Sequence, residues 1–283
     1  MALISVLQLA TIDYATGLRL QQLLVEMRKE GRIGDVLLLL EHNPVITLGR
    51  NAKAANVLLP PEKLAERGVE VFACDRGGDV TFHGPGQLVG YPIFDLRGFT
   101  SVEGKRRTMG AIEYVRGLEE VLIRTCIDFG INAQRISGLT GVWTSTTPLK
   151  PAQPLGPDPG FWAVERKRGR EESAKIAAIG VHISRSVSSH GFALNVNTDL
   201  NYFDLIIPCG IAAKPVTAMA MELGKTIPLG KVAQAIARNF GSVFKAQVQW
   251  LEKLEALEEK TGVPMRPPAE FRRLHQEQDT HYS

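Results

Sequence analysis

The stretch over residues 76–96, RGGDVTFHGPGQLVGYPIFDL, constrains this chain most, because it sets glycine turns on both sides of a short segment that carries a histidine. If that segment is a strand, Thr81 and His83 are two residues apart and share one face. The apolar run over 88–96 predicts a buried strand after the second turn. Glycines let backbone N–H groups approach a ligand closely, so the stretch predicts a binding site. The glycines taken alone also fit plain tight turns between two strands.

The composition is that of an ordinary globular protein, since 44% of the 283 residues are hydrophobic and 22% are charged. The net charge of +3 is too weak to indicate a nucleic-acid partner. Three cysteines without framework spacing argue against a secreted disulfide scaffold. The chain begins without the pattern of a signal peptide, and its longest aliphatic run, over 36–40, is too short to span a bilayer. We therefore expect a soluble, cytoplasmic protein that binds neither nucleic acid nor membrane.

Alternation and helical periodicity predict a chain of strands and helices. Strands are predicted over 4–9, 36–41, 45–48, 69–73, 131–137, 142–145, 175–184 and 191–196, and helices over 14–29, 62–67, 108–129, 229–244 and 250–260. Asp13 is the expected N-cap of the first helix, and Gly130 is expected to end the third. The aliphatic strand over 36–41 should be covered on both faces. We interpret His42 as a turn residue and Cys126 as a core residue.

The composition changes over 146–173, where five prolines precede the charged run ERKRGREE. Such a segment does not build a packed core, so it is predicted to be an exposed insertion. A surface loop is the simpler interpretation, and a basic lid that meets an acidic partner is the other. One domain is predicted over 1–248, and a short helix with a loosely ordered tail over 249–283. The strands on either side of residues 188–190 are expected to form a second part of the sheet, linked through those residues.

Three stretches in one order resemble a single family. These are RGGDVTFHGPGQLVGYPI over 76–93, KIAAIGVHISRSVSSHGFALNV over 175–196 and PCGI over 208–211. They are similar to motifs of the octanoyltransferases of lipoate biosynthesis, the lipoyl(octanoyl) transferase family of lipoate-protein ligase B type, and together they are more specific than a lone glycine motif. The resemblance implies that the domain over 1–248 is the catalytic domain. It also implies an α/β (α+β) fold of the biotin/lipoate protein ligase type, with mixed β-sheets and outer helices.

By this resemblance, Cys209 is the nucleophile and Lys175 is its basic partner. A free thiol has a pKa of about 8.5, and a nearby ammonium stabilises the reactive thiolate. Lys175 begins an otherwise apolar strand, where a partly desolvated lysine can exchange protons. Without the resemblance, Cys209 fits a small core residue and Lys175 an exposed lysine at a strand end.

The implied reaction transfers an octanoyl group from octanoyl-acyl carrier protein to a lysine of a lipoyl domain, through a thioester on Cys209. The implied acceptors are the lipoyl domains of 2-oxoacid dehydrogenase complexes and the glycine cleavage H protein. No cofactor, metal or ATP is implied, and we expect a monomer. The attacking amine has to lose a proton, for which Lys175 is the first candidate base and His83 the second. Candidate oxyanion donors are the backbone N–H groups of Gly77, Gly78 and Gly210.

The resemblance further implies an apolar slot for the acyl chain, lined by runs in which small residues leave room. These residues are Arg76, Gly77, Gly78, Asp79, Val80, Thr81, Phe82, His83, Ala178, Ile179, Gly180, Gly191, Phe192 and Ala193. Plain packing of sheet against helix explains Ile179 equally well. His190 either orients a loop or the substrate, or is a satisfied structural histidine. The family pattern carries arginine where this chain has His182, which leaves any charge role at that position open.

Two other functions fit parts of the sequence. An ATP-dependent lipoate or biotin-type protein ligase joins a free acid to lysine through an acyl-adenylate and needs no cysteine, but the chain lacks a GRGRxG stretch. A non-catalytic scaffold that binds carrier proteins has no use for Cys209, Lys175 and His83 together. ATP dependence separates transferase from ligase, and an acyl group trapped on Cys209 separates the transferase from both alternatives.

Overall fold

The computed structural model of the chain describes residues 2–100, 106–144, 173–207, 215–254 and 256–257. The strands are β1 (Ala2–Ile12), β2 (Asp35–His42), β3 (Val45–Leu48), β4 (Glu70–Ala73), β5 (Val80–His83), β6 (Gln87–Ile93), β7 (Phe99–Thr100), β8 (Arg106–Arg107), β9 (Ala133–Ile136), β10 (Leu139–Thr144), β11 (Lys175–Ser184), β12 (Val187–Asn195) and β13 (Ala246–Leu251). The α-helices are α1 (Tyr14–Lys29), α2 (Pro61–Glu66), α3 (Ala111–Asp128), α4 (Met219–Leu223) and α5 (Leu229–Phe244).

Most of the strands belong to one mixed sheet with the order β13-β1-β2-β6-β12-β11-β10-β9. In this main sheet β1 runs parallel to β2 and β13, and the remaining neighbours are antiparallel. A small sheet has the order β4-β3-β5. The larger mixed sheet, the smaller sheet and the helices outside them confirm the predicted fold class.

The main sheet separates two hydrophobic cores. On one face, α3 and α5 contribute buried residues such as Leu118 and Phe240, and on the other α1 contributes Leu20 and Leu24. Strand β2 supplies both cores, because alternate side chains of a strand point to opposite faces. Leu37 and Leu39 lie in the first core, and Leu38 and Leu40 lie in the second. This double burial confirms that the aliphatic strand is covered on both faces.

The predicted helix ends agree with the structure where a local signal marks them. The side chain of Asp13 accepts a hydrogen bond from Thr16 N at 2.8 Å, and so caps α1 as predicted. Gly130 follows α3 with a left-handed φ of 83°, and Cys126 is fully buried in the first core. Within the described ranges, no helix combines the length and the apolar character needed to cross a bilayer.

The predicted link over residues 188–190 is wrong. The chain turns instead at Arg185 and Ser186, which both have positive φ, and residues 188–190 lie within β12 in the middle of the main sheet. Ser188 is one of the three residues of this predicted link. Its buried hydroxyl donates to Pro92 O at 2.8 Å and accepts from Phe94 N at 3.0 Å, so the serine is satisfied inside a strand.

The short helix predicted over 250–260 is wrong at its beginning, because Trp250 belongs to β13 and pairs with Val6 of β1. The apolar spacing that suggested a helix instead places Leu254 and Leu257 in the second core. The predicted boundary at residue 248 falls inside β13. The predicted insertion, apart from residue 173, and the tail from residue 258 lie outside the described residues.

His42 ends β2 as a fully buried residue, which corrects its interpretation as a turn residue. Its Nδ1 lies 3.0 Å from Ile12 O, and its Nε2 lies 2.6 Å from the hydroxyl of Tyr91. A backbone carbonyl only accepts, so Nδ1 carries the proton and Nε2 accepts from the tyrosine. Burial lowers the pKa of His42 to about 4, so the imidazole is neutral in the folded protein.

We predict that the unfolding free energy falls as the pH is lowered from about 7 to about 5, because unfolded histidine titrates near a pKa of about 6.5. The folded-state pKa of His42 lies below that value, so the unfolded chain binds more protons. The stabilising contribution of neutral His42 is complete above about pH 6.5 and is lost as the pH falls toward about 4. By about pH 5 this loss lowers the unfolding free energy by roughly 2 kcal/mol. Denaturant unfolding of the wild type and His42→Gln at both pH values measures it. Equal pH dependence in the two proteins would contradict the prediction.

Candidate active site

A cavity of about 470 Å³ lies between the small sheet and the main sheet. Its lining joins the loop and strand over 76–83, the paired strands β11 and β12, and the turn before β10. The predicted residues that line it are Arg76, Gly77, Gly78, Asp79, Val80, Thr81, His83, Lys175, Ala178, Ile179, Gly180, Gly191, Phe192 and Ala193. Three runs that are far apart in the sequence therefore meet in one place.

Phe82 is the predicted substrate-binding residue that the cavity lining does not include. It lies between Thr81 and His83 on β5, so its side chain points to the opposite face of the small sheet. There it stacks on Tyr202 with the ring centroids 4.7 Å apart and meets Phe203 edge-on. Alternation along β5 thus separates Thr81 and His83 from Phe82, whereas Val80 both lines the cavity and packs in the same core as Phe82.

Small residues form the wall that β11 and β12 contribute. Ala178 pairs with Ala193 and Gly180 with Gly191 across the two strands. Gly77 N donates to Val181 O at 3.0 Å, which brings the glycine loop against β11. A Cβ atom on Gly180 would lie 2.7 Å from Gly77 O, so a side chain at this position would force the loop away.

The same contact corrects one predicted role. The Gly77 N–H group is bonded to Val181 O and so is not available to bind an oxyanion. Ile179 and Phe192 line the cavity, yet both also pack with the core beneath α3 and α5. Ile179 therefore has both predicted positions, because it lines the cavity and also packs between the sheet and the helices.

Arg76 uses its charge to shape the glycine loop. Its side chain is buried, and Nε and Nη2 donate to the Thr47 hydroxyl at 3.1 and 2.9 Å. Nη2 also donates to Thr47 O at 2.6 Å, and Nη1 donates to Gly77 O at 3.1 Å. The guanidinium therefore bridges β3 and the loop that opens the central stretch.

His83 is buried against the cavity in a set of polar and aromatic groups. Its Nδ1 lies 2.8 Å from Gln87 Oε1, its Nε2 lies 3.4 Å from the Thr47 hydroxyl, and its ring is nearly parallel to that of Tyr14. Burial, reinforced by the nearby His42, lowers the pKa of His83 to about 3. A histidine with so low a pKa accepts hydrogen bonds but is a weak base at neutral pH.

Lys175 begins β11 and pairs with Trp143 of β10. Its Nζ lies 5.3 Å from the ring centroid of Trp143, within range of a cation–π attraction. A Cβ atom on Gly141 would lie 2.8 Å from Lys175 Cε, so β10 packs closely on the lysine stem. Gly141 N donates to the buried carboxylate of Glu119 at 3.2 Å, which anchors β10 to α3.

The predicted nucleophile, Cys209, lies outside the described residues, as does Gly210. The chain on both sides of that gap is held near the cavity. Ile207 N donates to Asn56 O at 2.8 Å, and Lys175 N donates to Pro215 O at 2.8 Å. The pairing of Cys209 with Lys175 therefore stays a prediction.

His190 and His182 lie near the glycine loop around Asp75. The His190 Nε2 is 2.7 Å from Asp75 Oδ1, and the residue lines the cavity, so it is a satisfied histidine within the site. His182 Nε2 lies 3.6 Å from Asp75 Oδ2, and Arg50 Nη2 donates to His182 Nδ1 at 2.6 Å. A guanidinium thus lies beside position 182 although that residue is histidine. Across the described ranges, His, Cys, Asp and Glu side chains form no group of three suited to a metal.

Sequence reasoning did not identify several lining residues. These are Tyr14, Asn51, Val89, Tyr91, Gly138, Leu139, Thr140, Trp143 and His190. Of these, only His190 was considered for the site, and not as a lining residue. Val89 and Tyr91 alternate on β6 within the central stretch, and that alternation was an available signal. Trp143 reaches the cavity only because β10 pairs with β11, which nothing local in the sequence indicates.

Comparison with known proteins places the chain among relatives of similar length. The family model of the lipoyl protein ligase A/B catalytic domain matches residues 13–241. The octanoyltransferase of Koribacter versatilis (strain Ellin345) is 56% identical over 280 residues, which cover 99% of this chain and 99% of that protein. The octanoyltransferase of Acidobacterium capsulatum is 55% identical over 251 residues, covering 88% of this chain and 93% of that protein.

Solved structures share the fold at low sequence identity. A bi-partite lipoate protein ligase from Thermoplasma acidophilum has a TM-score of 0.63 at 14% identity, covering 93% of this chain and 91% of that one. A lipoate-protein ligase A bound with ATP has a TM-score of 0.59 at 12% identity, covering 92% of each chain. These likenesses confirm the predicted biotin/lipoate ligase-like fold, and the curated relatives confirm the resemblance carried by the three motifs. The chain therefore belongs to the lipoyl protein ligase A/B catalytic domain family.

Proposed function

We propose that this protein is an acyltransferase that moves an octanoyl group onto a lysine of a lipoyl domain. The observation that carries the proposal is the cavity whose lining combines a wall of alanine and glycine with Lys175. Its volume of about 470 Å³ lies in the range of roughly 300–1,000 Å³ that small-molecule sites occupy. The similarity to octanoyltransferases at up to 56% identity supports the octanoyl group as the cargo.

Octanoyl-acyl carrier protein is the proposed donor, and Cys209 is the proposed nucleophile. The sulfur of Cys209 attacks the thioester carbonyl, the thiol of the carrier leaves, and an octanoyl-enzyme thioester forms. One thioester replaces another in this step, so it needs no ATP. The hydrogen bonds that Ile207 N donates to Asn56 O and Lys175 N donates to Pro215 O support this role. Lys175 lines the cavity, and Asn56 donates to the lining residue Asp79.

Lys175 is the proposed base for the second step. The amine of the lipoyl-domain lysine attacks the thioester carbonyl and loses a proton to Lys175, an amide forms, and the C–S bond breaks to release the Cys209 thiolate. A free lysine has a pKa of about 10.4, so only about one amine in 2,500 is neutral at pH 7. Of the two candidate bases, the buried His83 is the weaker, because its pKa is lowered to about 3. The ring of Trp143 lies beside this lysine, with its centroid 5.3 Å from Nζ, and the amine has to be neutral when it accepts the proton.

The alternatives receive less support. The lipoate ligases with a similar fold are only 12% and 14% identical, so they bear on the fold and not on the reaction. The relatives that match at much higher identity are transferases, which also disfavours a non-catalytic scaffold. The 2-oxoacid dehydrogenase and glycine cleavage acceptors, the monomeric state and the cytoplasmic location stay predictions.

We predict that octanoyl-acyl carrier protein adds one octanoyl group to the protein without ATP, and that Cys209→Ala abolishes this addition. Intact-mass analysis measures it, with Cys74→Ala as the matched control. Cys74 is a half-buried cysteine whose sulfur contacts Leu48 O, so this control removes a thiol and leaves the proposed nucleophile in place. The control should acquire the octanoyl group as the wild type does.

A different result would assign the reaction elsewhere. If no group attaches without ATP, and free octanoate with ATP modifies a lipoyl domain, the protein is a ligase and the role of Cys209 is wrong. If neither mixture modifies the lipoyl domain, the scaffold interpretation gains instead.

We also predict that Ala178→Leu shifts the preferred donor toward shorter acyl chains, because the larger side chain fills the wall where β11 meets β12. Each methylene excluded from an apolar site costs about 0.8 kcal/mol, so octanoyl transfer should fall about tenfold or more relative to butanoyl transfer. Competition between the two donors measures the ratio. Ala65→Leu, on the exposed face of α2, is the matched control. An unchanged ratio in a folded Ala178→Leu protein would show that this wall does not hold the acyl chain.

A further inference from the structure

Two buried amides, Gln87 and Asn195, connect His83 to the main chain beside Lys175. His83 Nδ1 lies 2.8 Å from Gln87 Oε1, and Gln87 Nε2 donates to Asn195 Oδ1 at 2.9 Å. Asn195 Nδ2 then donates to Thr217 O at 2.9 Å. Thr217 N donates in turn to Lys175 O at 2.9 Å. One line of hydrogen bonds thus runs from the cavity histidine to the peptide of the proposed base.

The donor and the acceptor of each side-chain bond in this line are fixed, because the last amide bonds to Thr217 O, a backbone carbonyl that only accepts. Thr217 O requires the NH₂ group of Asn195, which leaves Asn195 Oδ1 facing Gln87. Gln87 Nε2 lies 2.9 Å from Asn195 Oδ1 and 3.2 Å from Phe82 O. Both oxygens only accept, so the NH₂ group of Gln87 has to face them. Gln87 Oε1 therefore faces His83, and because an amide oxygen only accepts, His83 Nδ1 carries the ring proton.

The other nitrogen of His83 faces Thr47. Two nitrogens of Arg76 donate to the Thr47 hydroxyl, which leaves the hydroxyl proton for His83 Nε2, 3.4 Å away. Burial keeps the imidazole neutral, so Nε2 presents a lone pair. The bonds from Arg76 to Thr217 all point the same way, and hydrogen bonds in such a series polarise one another.

We propose that Gln87 is a positioning residue for acyl transfer, because its amide fixes the Nδ1–H tautomer of His83 and ties the ring to the strand that begins at Lys175. The Thr47 contact is long for a hydrogen bond, so an N–H or O–H donor that enters the cavity competes for His83 Nε2. His83 then orients that donor without removing its proton. That this hydrogen-bond donor is the amine of the lipoyl-domain lysine rests on the proposed function, whereas the tautomer of His83 does not.

The tautomer is measured by ¹⁵N NMR of the whole chain with labelled histidine, with the resonances of His83 assigned by His83→Gln. At neutral pH we expect Nδ1 protonated and Nε2 unprotonated in the wild type, and a mixture of both tautomers in Gln87→Met. Gln87→Met should also lower kcat about tenfold to 100-fold, with KM for the lipoyl domain changed by less than about threefold. Gln22→Met, on the exposed face of α1, is the matched control and should keep the wild-type spectrum and kcat.

Two results would overturn the proposal. One is a wild-type His83 with its proton on Nε2. This measurement needs only the wild type, so it tests the proposal even if Gln87→Met does not fold. The other is a folded Gln87→Met protein that keeps both the Nδ1–H tautomer and the wild-type kcat. If the wild type shows the expected tautomer but acyl transfer requires ATP, the proposed function fails while the assignment of His83 stands.

Discussion

The cavity of the candidate active site depends on the close approach of the glycine loop to β11. Gly77 N donates to Val181 O at 3.0 Å, and the missing side chain of Gly180 leaves room for Gly77 O. This contact joins the small sheet to the main sheet, and the cavity is the space left between them. Lys175 and the alanine and glycine residues of β11 and β12 face the residues of the central stretch across this cavity.

The central stretch also holds the chain on both sides of residues 208–214. The carboxylate of Asp79 accepts from Asn56 Nδ2 at 2.5 Å, and Asn56 O accepts from Ile207 N. At the other end, Gln87 reaches the carbonyl of Thr217 through one amide. The central stretch therefore lines the cavity, contacts His83 through Gln87, and ties down the described chain on either side of residues 208–214. Satisfied buried polar groups suit these tasks because each bond fixes a direction as well as a distance.

Local signals predicted much of the fold, and tertiary packing decided the rest. The helices α1 and α5 and the aliphatic strand β2 were predictable because one-sided or two-sided burial leaves a periodic pattern. Ser188 and His190 suggested a turn, but hydrogen bonds from distant residues satisfy them within β12. The motifs over 76–93 and 175–196 predicted most of the cavity lining, and the third motif lies outside the described residues. Tyr14 and Trp143 were missed because they reach the cavity through pairing and packing between elements far apart in the sequence.

A single-turnover measurement on the isolated octanoyl-enzyme tests most directly whether a thioester on Cys209 is the intermediate. The octanoyl-enzyme is prepared from the donor, separated from it, and mixed with a lipoyl domain in the absence of ATP. Mass analysis over time then follows the octanoyl group on both proteins. We predict that it leaves the enzyme and appears on the lipoyl domain at the same rate, and no more slowly than overall turnover. A group that stays on the enzyme, or is lost to water, while turnover continues would contradict this mechanism.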